Sequence, residues 1–119
     1  MNASNIHIKR VYLAADKADG IRILVDRLWP RNMSKAQASV QHWFKDIAPS
    51  NELRQWFSHD PAKWQKFREE YLKELKHSSS PEIETIHQLS DLGPVTLVYA
   101  AKDEAHNQAV VLKEYIVQS

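Results

Sequence analysis

Two uninterrupted apolar runs limit the folds open to this chain: "ILV" at Ile23–Val25 and "VTLVY" at Val95–Tyr99. A strand with one wet face alternates apolar and polar residues, whereas a strand covered on both faces does not. Between the runs the apolar residues recur at helical spacing. Buried strands joined by helical crossovers make a parallel sheet with helices against it. The chain is therefore predicted to be α/β, a small, mostly parallel β-sheet of three or four strands flanked by helices. Its 119 residues suffice for one domain, spanning 1–119, with a core that needs no covalent staple.

The remaining elements follow from local chemistry. A first strand is expected over Asn5–Leu13, and "DKADG" (Asp16–Gly20) reads as a turn. The second strand, "IRILVDRLW", stops at Pro30, which cannot donate to a sheet ladder. A helix is expected from about Ser34 to Phe44, with Ala36, Val40, Trp43 and Phe44 on one face. Ser50 caps a short helix carrying Leu53, Trp56 and Phe57. Asp60-Pro61 opens a longer helix that buries Trp64, Phe67, Tyr71 and Leu75. "KHSSSPE" (Lys76–Glu82) is a loop, and Ser80-Pro81 opens a further helix with Ile83, Ile86, Leu89 and Leu92 inward. Gly93-Pro94 ends it. The last helix is expected from Asp103 or Glu104, with Ala105, Ala109, Leu112 and Ile116 inward. "DIA" (Asp46–Ala48) is the candidate for a short extra strand.

Composition narrows the function. Acidic and basic residues nearly cancel, at a formal net charge of +1, so any basic site must be local. There is no cysteine, which excludes disulfides, thiolate catalysis and cysteine-ligated zinc, and fits a cytoplasmic location. The amino-terminal "MNASNIHIKR" lacks the apolar core of a signal peptide, and no apolar run has membrane-spanning length. The histidines lack metal-ligand spacing, and Asp26 with Asp103 or Asp60 is a weak signal for Mg²⁺, so no metal is expected. With Gly20 and Gly93 the only glycines there is no glycine-rich phosphate loop, and no cofactor is expected.

In open α/β sheets ligands bind beyond the carboxyl ends of the strands. Two polar segments fall there, "DRLWPRN" (Asp26–Asn32) and "AAKDEAHN" (Ala100–Asn107). Arg27 and Arg31 can fork onto a phosphate or carboxylate. Lys102 precedes the last helix, whose amino terminus favours negative charge. Asp26 can orient an arginine or act as a general base; equally, it can pair with Arg27 or Arg31, or accept backbone N–H groups. Arg54 and His59 flank Trp56 and Phe57 in a second polar-aromatic cluster, where the aromatics suit a core or a pocket wall and His59 suits a helix end. Of the four tryptophans, Trp29 alone lies between arginines at a strand end, in position to line a pocket.

The strings "RILVDRLWPR", "APSNELRQWF", "HDPAKWQKF", "TLVYAAKD" and "NQAVVLKEY", with Ser34-Lys35, Tyr71 and Glu74-Leu75, closely resemble the YeaO-like family of small bacterial proteins, classed as a domain of unknown function. The resemblance runs from about Ile6 to Tyr115 and departs at Asn32, where the family usually has glycine. Asparagine tolerates the left-handed backbone better than most residues, so the turn is expected to survive. The resemblance implies an α/β fold and marks motif residues without roles: Asp26, Arg27, Trp29, Arg31, Lys35, Arg54, Trp56, His59, Tyr99, Lys102, Asp103 and Asn107. The family's longer relatives carry cysteine after one strand; here "YAAKDEAHN" stands in that place, so thiol chemistry does not carry over.

The leading expectation is an anion-accepting pocket at the strand ends, for a phosphate- or carboxylate-bearing metabolite or a nucleotide. In an enzyme of this kind the chemistry would be cofactor-free acid–base or hydrolytic, with Asp26 the base, Arg27 and Arg31 the anion clamp, and Tyr99 or Lys102 the auxiliary donor. Lys35, Arg54, Trp29, Trp56, His59, Asp103 and Asn107 would complete the ligand-binding set. The alternatives are a non-catalytic module that contacts a protein or nucleic acid through a basic-aromatic surface, and a purely structural motif tying strand ends to helices.

Overall fold

The apolar runs become the centre of one sheet. β1 (Ile6–Arg10), β2 (Ile21–Leu24), β3 (His42–Trp43) and β4 (Val95–Tyr99) lie in the order β1-β4-β2-β3, and every pair is parallel. The computed structural model describes residues 5–78 and 80–118; residues 1–4 of the amino-terminal stretch and Ser79 of the serine-rich loop lie outside the described residues. β4 is buried along its whole length because it pairs on both edges, with Ile6 and Ile21 both opposite Val95.

Alternation sorts the side chains between two layers. Ile6, Ile23, Val25, Val95, Leu97 and Tyr99 join the larger core, which also takes in buried residues of α2 (Asn51–Phe57), α3 (Trp64–His77), α4 (Glu82–Leu92) and α5 (Gln108–Gln118). Val11, Leu24 and Val98 point the other way, onto Ala38 of the one-turn α1 (Lys35–Ala38), with Trp29 and Met33 packed beside them. Both faces are thus covered, as the lack of alternation requires.

The smaller layer also holds a buried charge cluster. Arg22, 2% exposed within β2, donates to Asp19 at 2.7 Å and to the carbonyls of Ala38 and Ser39 at 2.9–3.2 Å. Lys9 reaches the same carboxylate at 3.1 Å. Burial alone would raise the pKa of Asp19, but the Asp16 N–H, Arg22 and Lys9 hold it below the ordinary value. Gly20 follows with φ +63°, and a Cβ there would stand 2.1 Å from the carbonyl oxygen of Pro94. That carbonyl accepts from the Ile21 N–H at 3.0 Å, so glycine is what lets β2 start tight against β4.

Several elements differ from the sequence reading. The helix expected from Ser34 to Phe44 ends at Ala38, where Ser39 turns left-handed (φ 51°, ψ 48°). The chain then leaves the helix to pair with β2: Gln41 N–H donates to the Arg22 carbonyl and Phe44 N–H to the Leu24 carbonyl. Satisfying that open sheet edge outweighs two further helical turns. The proposed face dissolves accordingly, with Ala36 exposed and Trp43 in the edge strand. The fourth strand is therefore β3 rather than "DIA", since Lys45–Ile47 forms a 3₁₀ turn. β1 and β2 are shorter than expected. α5 begins at Gln108 instead of Asp103 or Glu104, because Asp103 folds the preceding residues into an Asx turn, and Ala105 is left exposed. Leu92, expected inward, is 87% exposed at the end of α4. The Ser50 cap holds: its Oγ accepts from Leu53 N–H at 3.2 Å and donates to Glu74 at 2.6 Å.

Candidate functional site

Past the ends of β2 and β4 the sheet cover opens into a cavity of about 720 Å³. Asp26 sits on its wall, two residues beyond β2. One carboxylate oxygen accepts the Ala100 N–H at 2.9 Å, just beyond β4, and the other accepts the side-chain amide of Gln108 at the start of α5. Its own carbonyl accepts the Trp43 indole N–H at 2.7 Å. Asp26 therefore joins β2, β3, β4 and α5 at one point. Burial pushes its pKa up to about 6, and the two donors offset that only in part. None of its hydrogen-bond partners is a cation.

Arg27 takes a different course from Asp26. Its guanidinium donates to the carbonyls of Pro49 and Ala48, at 2.9 and 3.1 Å, fixing the loop ahead of α2, while its side chain still borders the cavity. Arg31 is exposed on the rim, where its carbonyl accepts the Tyr12 hydroxyl at 2.9 Å. Arg54 lines the cavity from α2; its Nε is buried with no hydrogen-bond partner among the described residues, and a long 3.4 Å contact links Nη2 to Asn51. Lys102 borders the cavity from the β4–α5 connection. Four cations and two carboxylates, Asp26 and Asp103, thus line one concavity of a chain whose net charge is +1. Among the described residues no ion pair involves any of the four cations.

Asp103 has a local task. It accepts the Ala105 and His106 N–H groups and pairs with the His106 ring at 2.9 Å; that contact, with the turn N–H groups, holds its pKa below the ordinary value. Asn107 is buried and caps α5, its Oδ1 accepting from Ala109 at 2.9 Å and Val110 at 3.2 Å. Both residues border the cavity as well. Trp29 lines it with its indole N–H committed to the Met33 carbonyl at 2.6 Å. His59 lines it from a backbone at φ 57°, directly after Ser58 at φ 46°. Two successive left-handed non-glycine residues are costly, and such strain gathers where a side chain must be aimed.

Three of the residues singled out from the sequence lie outside this cavity. Tyr99 is a core side chain, with burial raising its phenol pKa and Asn107 beside it. Lys35 is exposed on α1, and Trp56 is 43% exposed on α2 with Lys63 over its ring. Sequence reasoning missed Gln108, Tyr12 and Leu28, which border the cavity from three separate segments; it read Phe57 as core or pocket wall and Phe67 as a buried helix residue. No spacing rule links Gln108 to Asp26; the helix amphipathicity that placed the two phenylalanines inward was the one available signal. Among the described residues, no group of three or more His, Asp or Glu side chains is arranged to hold a metal ion, and no helix is long and apolar enough to cross a membrane.

Comparison with known proteins places the chain in a family. The chain is 42% identical over 112 residues to the uncharacterized protein YeaO of Escherichia coli (strain K12), covering 94% of this chain and 96% of that one. It is 36% identical over 113 residues to the uncharacterized proteins Rv3073c of Mycobacterium tuberculosis (strain ATCC 25618 / H37Rv) and Mb3100c of Mycobacterium bovis, covering 95% of this chain and 94% of each. No solved structure matches. The family model described as the inactive DUF488-N3 subclade matches residues 5–119, and with the YeaO likeness over nearly the whole length, the chain belongs to this YeaO-like DUF488-N3i family.

Proposed function

We propose that the cavity binds a small anionic ligand and that the protein acts by binding rather than by turnover. The observation that carries this reading is the convergence of Arg27, Arg31, Arg54 and Lys102 on one concavity without ion-pair partners among the described residues. Arg27 is tied to the carbonyls of the loop ahead of α2, whereas Arg31 and Arg54 keep donor capacity for a guest. A buried N–H without a partner costs about 1–3 kcal/mol. A modest turn of the Arg54 guanidinium onto a ligand oxygen would recover that energy. The family's description as inactive favours binding over catalysis. Concavity favours a small molecule over the flat face that a protein or nucleic acid would need.

Acid–base chemistry is the second reading, favoured by the pKa of Asp26 near 6 on the cavity wall. Lys102 would then be the auxiliary donor, since Tyr99 is in the core. A thermal-shift panel of phosphate, pyrophosphate and di- and tricarboxylates tests the binding reading. A ligand at a hundredfold excess over Kd stabilises the native state by about 2.7 kcal/mol. An anion-dependent rise in Tm, lost in the Arg31→Gln/Arg54→Gln double variant, is expected. No rise across the panel, or a rise that the double variant retains, overturns it.

A further inference from the structure

We propose that the ligand is an aromatic anion, a planar ring carrying a phosphate or carboxylate group, an inference that rests on the anion-binding reading above. The volume comes first. At about 720 Å³ the cavity falls in the range of about 300–1,000 Å³ that takes drug-sized molecules, and a bare oxyanion would leave most of its wall uncontacted. The character of the wall comes second. Beside its cations, its two carboxylates and the amides of Asn107 and Gln108, the lining carries flat or aliphatic side chains, among them Tyr12, Leu28, Trp29 and Pro49.

Tyr12 and Leu28 are 42% and 59% exposed, large apolar surface left beside a cavity instead of packed away. The Tyr12 ring is held in place from two sides, by its hydroxyl on the Arg31 carbonyl and by the Arg10 guanidinium 5.5 Å from its centroid. Phe57 and Phe67, only 5% and 2% exposed, stack at 4.2 Å with 20° between their planes and form a rigid backing behind the cavity. Rings meet rings favourably through offset or edge contacts, beyond the area they bury. Arg31 and Arg54, on the rim and the helix wall, are placed to receive the charged group. A ring against the half-exposed Tyr12, with its anion toward the two arginines, uses both kinds of lining at once.

Calorimetric titration of the full chain tests this with phenyl phosphate, cyclohexyl phosphate, inorganic phosphate, benzoate, acetate and phenol. Phenyl phosphate is expected to bind at least about tenfold more tightly than inorganic phosphate or cyclohexyl phosphate, about 1.4 kcal/mol. Benzoate outdoing acetate by the same factor extends the result to carboxylates, and the tighter of the two aromatic probes identifies the head group. Tyr12→Leu is expected to bring the ratio of phenyl phosphate to cyclohexyl phosphate affinity down to about one, whereas Tyr12→Phe is expected to keep the aromatic preference. Equal binding of phenyl, cyclohexyl and inorganic phosphate overturns the ring while the anion reading stands. Phenol binding as tightly as phenyl phosphate overturns the inference by removing the need for charge. Binding by none of the anions overturns the anion reading, and this inference with it.

Discussion

Replacing Asp26 with asparagine separates a carboxylate kept for chemistry or ligand from one kept for the fold. Its pKa rises on folding from an ordinary 3.8 to about 6, because burial penalises the charged form more than the Ala100 N–H and the Gln108 amide stabilise it. At 1.36 kcal/mol per pH unit, ionising it in the native state costs about 3 kcal/mol more than in the unfolded chain. The folded pKa lies above the unfolded one, so the native state holds more protons between the two values. The parent therefore loses stability as pH rises from about 4 to about 6, and the full cost is present above that window. Asp26→Asn removes the ionisation. Its oxygen can still accept from Ala100, and its new N–H can donate to Gln108 once that amide turns over. The variant should match the parent near pH 4 and exceed it by about 1–3 kcal/mol at pH 7, the lower end allowing for solvent reaching the cavity. Urea melts of both proteins at intervals between about pH 4 and pH 8 measure the gap directly. A variant less stable than the parent at pH 7, or a gap that does not change with pH, refutes the reasoning. A loss of about 3–5 kcal/mol would mean that Asp26 is the charge partner of a buried arginine after all.

Two further outcomes concern the smaller layer. Asp19→Asn should cost about 3–5 kcal/mol in denaturant melts, because it leaves the buried Arg22 uncompensated, and a loss under about 1 kcal/mol would refute the clamp. The depressed pKa of Asp19 adds an acid limb: its contribution is complete above about pH 4 and is lost as pH falls through the lower folded value, a limb the variant should lack. Gly20→Ala should destabilise by more than the ~1–3 kcal/mol of a strained backbone alone, since its Cβ would also push against the Pro94 carbonyl where β2 meets β4; an unchanged melting curve would contradict that close approach.

Local chemistry, read from the sequence, was enough for β1, β2 and β4 and for several caps and stops. The runs "ILV" and "VTLVY" required cover on both faces and received it, Ser50 and Asp60 cap their turns, and Gly93-Pro94 ends α4. The polar segments after β2 and β4 meet because parallel strands end on the same side of a sheet, so much of the cavity lining was legible in the sequence. What the tertiary structure alone decided depends on partners distant in the chain. Whether residues 40–44 continue a helix or become β3 was settled by the open edge of β2, which no local propensity records. Arg22 lies in an apolar strand, and it is Asp19 and two carbonyls from α1 and its cap that make its burial tolerable. Gln108 joins Asp26 across 82 positions, and Tyr99, beside the motif in sequence, is taken up by the larger core. Periodicity determines which face a side chain takes; only the packed fold determines what it meets there.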